Sequence, residues 1–310
     1  MRNFIIPLVL AAMALPSVAS AELPKETADA IVKMGHVNDP ATSKLFVSMH
    51  KGVPADIKVS RDLAFGSDPL QKLDMFTSGQ GAGKPVLIYV HGGAFIRGDK
   101  HRPGEFMYDN VMVWAVQHGM VAAETNYRLA TPQSQYPAAN DDVAAAIKYV
   151  RDRARDYGGD PNKIFVWGHS AGASLVGIHV SHPEFLKASG GTLAGAIMTS
   201  GGYEFKGKNP YLGDDPAKLA ERSSVEGLKK TGIPLFFTRA EWDPQGQMQQ
   251  GDMIDKVLCD AGRCPAFHLM KGHNHMSQVF SVGTSENQLT DLLLPWIQKL
   301  AANVKSAAAR

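Results

Sequence analysis

A serine in the run Gly168-His169-Ser170-Ala171-Gly172 is the residue of this chain best set for nucleophilic chemistry. The run follows the apolar stretch Lys163–Trp167 and opens a small-residue helix from Ala171 to Val180. A strand, a G-x-S-x-G turn and a helix present a hydroxyl at the tip of a sharp bend. The glycines two positions either side leave room for neighbouring chain to pass close. The helix starting behind the serine turns its free N–H groups and the positive end of its dipole towards any oxyanion formed there. A bare pentapeptide of this kind is common by chance, and the flanking strand and helix are what give it weight.

A hydroxyl attacks a carbonyl only with partners, and the chain offers candidates for each. His91-Gly92-Gly93-Ala94-Phe95 directly follows the short apolar strand Pro85–Val90. Consecutive glycines after a strand expose backbone N–H groups, so Gly92 and Gly93 are expected as oxyanion-hole donors, with Ala171 N–H as a third. An ordinary tight turn is the competing reading, and His91 is expected to hold the loop. For the acid that orients a base, Asp243 stands after the Pro234–Arg239 strand and before Pro244, with Glu241 as backup. A helix N-cap role is compatible with the same aspartate. The base must lie beyond the last strand, Ala266–Met270. His268 falls inside that strand and reads as a packed residue, whereas the following loop holds both His273 and His275. Loop geometry alone does not separate them. A metal site on the same His-x-His pair lacks a carboxylate or H-E-x-x-H context.

The elements that must position these residues alternate. Ile57–Phe65 and Lys72–Phe76 read as two antiparallel strands joined by Gly66-Ser67-Asp68-Pro69. Then come strands at 85–90, 121–125, 163–167, 195–200, 234–239 and 266–270. Helices are expected at 105–118, 138–157, 171–180, 216–230, 246–260 and 285–304. Such alternation implies an α/β class with right-handed crossovers, a mostly parallel central sheet and helices on both faces. Ligands bind at the carboxyl ends of strands in such sheets, where every candidate above falls.

Composition narrows the classes further. The 310 residues carry 32 basic and 30 acidic side chains, which leaves no broad basic surface for nucleic acid. Arg2, the apolar run Phe4–Leu15 and Ala19-Ser20-Ala21 read as a signal peptide over residues 1–21, too short to span a bilayer comfortably. The expectation is a periplasmic or secreted protein with no stable membrane insertion after cleavage. Residues 22–56 form an N-terminal segment, and 57–310 one catalytic-size domain. Cys259 and Cys264 are expected to form a disulfide closing a short loop, because an exported chain meets oxidising conditions.

Several of these runs together resemble a family. His91-Gly92-Gly93-Ala94-Phe95, Asn126-Tyr127-Arg128-Leu129, Tyr136-Pro137-Ala138-Ala139 with Asp142, and the Gly168–Gly172 turn resemble the α/β-hydrolase fold. The likeness is nearest to carboxylesterases of the hormone-sensitive-lipase-like, isoprenylcysteine-methylesterase-like and feruloyl-esterase-like branches. Leu73-Asp74-Met75-Phe76, Asn209-Pro210-Tyr211-Leu212-Gly213 and Ser223-Ser224 look like further segments of those enzymes. The resemblance spans about residues 57 to 300. It implies an α/β-hydrolase fold and a Ser-His-Asp triad, and it carries the base onto His275, because His275-Met276-Ser277 fits the family pattern better than His273-Asn274-His275. It departs from the lipase-like branch at the N-terminus. Residues 22–56 are short and carry Gly35, Pro40, Gly52 and Pro54, so they could make only a partial lid.

The expected reaction is acyl transfer to water through an acyl-enzyme, on a small-molecule ester, with no metal or organic cofactor. Amide or peptide cleavage by the same triad and a non-catalytic hydrolase-fold binding protein are the alternatives. Phe95, Tyr203, Trp242 and Met276, with Phe205 and Tyr211 nearby, are candidate pocket residues, core packing being the competing reading. Arg97 and Arg239 near strand ends could meet a substrate carboxylate, or simply make salt bridges. The acyl group, the alcohol and the oligomeric state are not legible.

Overall fold

Strand residues in the middle of the chain are apolar on both sides, which requires two covered faces. The computed structural model describes residues 23–304; the expected signal peptide lies outside these residues. Eight strands form one sheet: β1 (Lys58–Ala64), β2 (Lys72–Thr77), β3 (Lys84–Val90), β4 (Val121–Thr125), β5 (Gly159–His169), β6 (Gly195–Thr199), β7 (Leu235–Trp242) and β8 (Ala266–Asn274). Their order is β1-β2-β4-β3-β5-β6-β7-β8, antiparallel for the first two pairings and parallel for the rest. This is the α/β arrangement, with helices on both faces, that the alternating pattern predicts.

The period-2 geometry of a strand divides each central run between two cores. Val86, Ile88, Val90, Ile164 and Val166 face the helices Ala138–Arg153, Ala171–Ser181 and Gln245–Asp260. Leu87, Tyr89, Phe165 and Trp167 face Asp109–Gln117, Gln288–Asn303 and the N-terminal helices. Among the described residues no helix is long and apolar enough to cross a membrane.

Several boundaries differ from the sequence reading. The helix expected from Glu105 begins only at Asp109, because Met107 and Tyr108 are buried in a turn, where Arg102 lies over the Tyr108 ring. The helix expected over 216–230 breaks into Pro216–Arg222 and Val225–Leu228. At the break Ser223 Oγ and Ser224 N both donate to the Tyr203 carbonyl. The N-terminal segment holds two helices, Lys25–Met34 and Asp39–Val47. Gly35 follows the first and Pro40 sits in the first turn of the second, so these residues punctuate helices rather than prevent them. The last strand runs four residues beyond its expected end, through Asn274, because pairing with β7 resumes at Trp242↔Asn274 after an irregularity.

An ionic cluster built on the buried Asp74, Asp109, Glu124 and Lys100 locks the antiparallel edge to the loop after β3. Arg61 donates to Asp74, Asp109 and Glu124, and Lys100 Nζ lies 2.8 Å from Asp74 and 3.0 Å from Asp62. His101, Asp109 and Glu124 are close enough together to hold a metal ion, but the Arg61 guanidinium already occupies the space facing their carboxylates. Burial, reinforced by Asp109, pushes the Glu124 carboxyl well above the ordinary range. Cys259 and Cys264 form the expected disulfide.

Candidate active site

Close approach of backbone fixes the turn around Ser170. A Cβ on Gly168 would sit 2.2 Å from Gly172 O, and one on Gly172 would sit 2.1 Å from Val90 O. Only glycine fits at either position. Ser170 itself takes φ 56°, ψ −121°, a conformation that side-chain-bearing residues rarely adopt. Its N–H donates to Thr199 O at 2.9 Å, which holds the turn on β6. Ala171 then starts the helix, and the first N–H groups of a helix have no carbonyl partner within it.

The loop after β3 is tied down at several points. Tyr127 Oη donates to His91 O at 3.0 Å, and Ala130 N donates to Phe95 O at 2.8 Å. Lys100 N donates to Asn126 Oδ1 at 2.6 Å. His91 is buried and stacked on Tyr127, with Nδ1 donating to Gly92 O at 2.7 Å. Burial pushes its imidazole down to about 4, so the ring is neutral in the physiological range. Gly93 adopts φ 122°, and a Cβ there would lie 1.9 Å from Arg97 O. Gly92 and Gly93 line one cavity of about 350 Å³ together with Ser170 and His275. Ala171 is not among its lining residues and is buried directly behind the serine.

Asp243 is the first residue after β7 and is fully buried. Its Oδ1 accepts from His275 Nδ1 at 2.7 Å, and its Oδ2 accepts from Ser200 Oγ at 2.5 Å and Ala240 N at 2.7 Å. With the proton on Nδ1, His275 Nε2 carries a lone pair. No hydrogen bond joins the Ser170 hydroxyl to that ring among the described residues; catalytic hydrogen bonds commonly tighten only in the substrate complex. Glu241, the backup acid, instead accepts from Gly272 N at 2.8 Å.

The two histidines are separated by strand geometry. His273 lies on β8, buried, with Nδ1 3.0 Å from Ser277 Oγ, and burial lowers it to about 4. His275 is one residue past the strand and turns to Asp243. His268, also on β8, packs against Phe236 of the neighbouring β7.

Sequence reasoning missed the residues that hold this pair. Gln278 Nε2 donates to Ser200 Oγ at 2.6 Å, and Ser200 Oγ in turn donates to Asp243. His169 Nε2 donates to His275 O at 2.8 Å; burial keeps that ring well below its ordinary pKa. The link between the N-terminal helices braces the same loop. His275 N donates to His36 O at 3.1 Å, and Asn274 Nδ2 reaches Gly35 O at 3.1 Å and Thr42 Oγ1 at 3.2 Å. No local pattern marks such contacts, since they join residues distant in the chain, by as many as 239 positions.

The candidate pocket residues divide. Met276 lines the cavity beside His275. Phe95 and Tyr203 do not; both are buried in the core, Phe95 stacked on Tyr211 and Tyr203 edge-on to Phe237. Trp242 is 37% exposed at the end of β7 and lies outside the cavity lining. Phe95 and Tyr203 sit in the loops after β3 and β6, whose course turns their rings into the core, and spacing in the chain does not reveal that. Val37 and Asp39, from the N-terminal segment, line the cavity instead.

Known proteins similar to this chain include esterases. The BD-FAE family matches residues 73–186. Fumonisin B1 esterase of Sphingopyxis macrogoltabida is 30% identical over 60% of this chain and 37% of its own length. Esterase LipQ of Mycobacterium tuberculosis is 30% identical over 57% of this chain and 46% of its own. The chain therefore spans less than half the length of these curated relatives in the matched region. Esterase B from Lactobacillus Rhamnosis superposes with a TM-score of 0.70 at 17% identity, covering 85% of this chain and 92% of that one, a likeness of fold.

Proposed function

From a chain that has the α/β-hydrolase fold and resembles carboxylesterases of the feruloyl-esterase-like and isoprenylcysteine-methylesterase-like branches, we propose a serine carboxylesterase acting by acyl transfer. Ser170 attacks the ester carbonyl while His275 Nε2 takes its proton, and Asp243 stabilises the imidazolium. Gly92, Gly93 and Ala171 N–H groups receive the charge on the carbonyl oxygen, each such donor being worth roughly 10²–10³ in rate. His275 then protonates the leaving alkoxide, and water repeats the sequence on the acyl-enzyme. The observation that carries this reading is the His275–Asp243 hydrogen bond at 2.7 Å, with His275 and Ser170 facing one cavity.

Cleavage after Ala21 and release to the periplasm or medium belong to the same proposal, supported by the apolar, small-residue leader. The substrate is a small-molecule ester; the names of the relatives describe those proteins. A fluorophosphonate should label Ser170, and p-nitrophenyl esters of increasing chain length, with feruloyl and acetylated-sugar esters, should be hydrolysed at differing rates. No label and no ester turnover would overturn the reading. Faster cleavage of a matched anilide than of its ester would move the enzyme to the amidases.

A further inference from the structure

The cavity over Ser170 is lined by two arginines whose charges are treated differently. Arg102 Nη1 and Nη2 donate to the two oxygens of Asp39 at 2.8 and 2.7 Å. The same guanidinium lies over the Tyr108 and Phe280 rings. Asp39 is the only carboxylate lining the cavity among the described residues, and both of its oxygens are engaged this way. Arg97 lines the same cavity and is exposed, with no ion pair and no side-chain hydrogen bond among the described residues. Arg239, the other arginine near a strand end, is spent on Asp252 at 2.6 Å.

The position of Arg97 is fixed where it matters. Its N–H donates to Gly93 O at 3.1 Å, and its own carbonyl occupies the space a Gly93 side chain would need. The stem of this side chain therefore starts against the glycine that faces the developing oxyanion. The remaining lining near it, Val37, Pro244, Gln247 and Met276, is uncharged. A ligand entering the cavity meets a guanidinium that is unpaired among the described residues and whose planar fork matches a carboxylate with two parallel hydrogen bonds.

We propose that Arg97 is a specificity residue, and that the preferred substrates are esters carrying an ionised carboxylate within a few bonds of the scissile carbonyl. The inference rests on the esterase reading above and adds the substrate class to it. Two substrate pairs separate the two places that carboxylate can occupy. Monomethyl adipate against dimethyl adipate puts the charge on the acyl side. O-acetyl-4-hydroxybutyrate against its methyl ester, followed by acetate release, puts it on the alcohol side. For at least one pair, the ratio of kcat/KM for the charged over the neutral ester should fall roughly 10- to 100-fold in Arg97→Gln. Arg97→Lys should restore part of that ratio, and raising the salt concentration should shrink it in the wild type, since an exposed guanidinium is screened. An active, fluorophosphonate-labelled enzyme whose ratio is the same in wild type and Arg97→Gln for both pairs overturns the role of Arg97 alone. An unlabelled Ser170 with no turnover of any of the four esters overturns the esterase reading, and this inference with it.

Discussion

Replacing Asp243 by asparagine should cripple turnover by fixing the wrong proton on His275, and the hydrogen bonds around the carboxylate say why. Oδ2 accepts from Ala240 N and Ser200 Oγ, at 2.7 and 2.5 Å. The first is a backbone donor that cannot reverse. The second shares that oxygen, so whatever Ala240 N fixes on this side, Ser200 Oγ meets as well. In Asp243→Asn the amide oxygen must therefore stay on that side, which turns the NH₂ towards His275 Nδ1. Nδ1 is then forced to accept, the ring proton moves to Nε2, and the base has no lone pair for the Ser170 hydroxyl. A wrong-tautomer histidine of this kind costs about 10⁴ in kcat, or about 5.5 kcal/mol of transition-state stabilisation. The assay is kcat and kcat/KM on p-nitrophenyl butyrate, together with the rate of fluorophosphonate inactivation, which should fall in parallel because it reports the same nucleophile. Circular dichroism should confirm a folded protein. A folded variant that loses less than about tenfold in both rates would refute the reasoning, since no free rearrangement of the amide is available.

The two neighbouring histidines should separate cleanly: His275→Ala should lower kcat by on the order of 10³–10⁶, whereas His273→Ala should act mainly on stability, as a buried ring bonded to Ser277 is lost. Reversed severities in kinetic and thermal assays would move the base to His273. Acid should destabilise the fold, because burial holds His91 and His273 at about 4 and His179 at about 3 against an ordinary 6.5. Between pH 6.5 and 4 the unfolded chain binds protons that the folded chain refuses, so stability rises with pH there and is lost as pH falls. Glu124, raised by burial, works in the opposite direction above 4.5. Calorimetry should give a Tm that drops from pH 7 to pH 4, and a flat profile would contradict the neutral buried rings. The Cys259–Cys264 bridge spans five positions, so chain entropy gives it about 2 kcal/mol. Cys259→Ser with Cys264→Ser should therefore lower Tm by a few degrees and leave esterase rates near wild type; two free thiols in the native protein by mass would remove the bridge altogether.

Much of the scaffold is readable locally. The strand–turn–helix at Ser170, the glycines of the loop after β3 and the alternation of strands with helices are each decided by short-range sterics and periodicity, and those belong to the chain itself. The N-terminal helices were harder to see. Gly35 and Pro40 look like breakers until their places at helix ends are known, and Ile31 and Phe46 earn their burial only by meeting the far end of the sequence.

By itself the sequence determined that a serine would stand at a strained turn before a helix, with an acid expected after β7 and two histidines after the last strand. The order of elements left both histidines open and the family resemblance favoured His275; the tertiary structure adds which of the two meets Asp243. That contact turns on where β8 stops: pairing continues past an irregularity to Trp242↔Asn274, which leaves His273 on the strand and brings His275 to Asp243. The same holds for the braces from residues 35–42 and for the arginine beside Gly93 that has no ion pair among the described residues. Each depends on which distant side chains meet, and hydrogen bonds or ion pairs across such separations leave no periodic trace in a single chain.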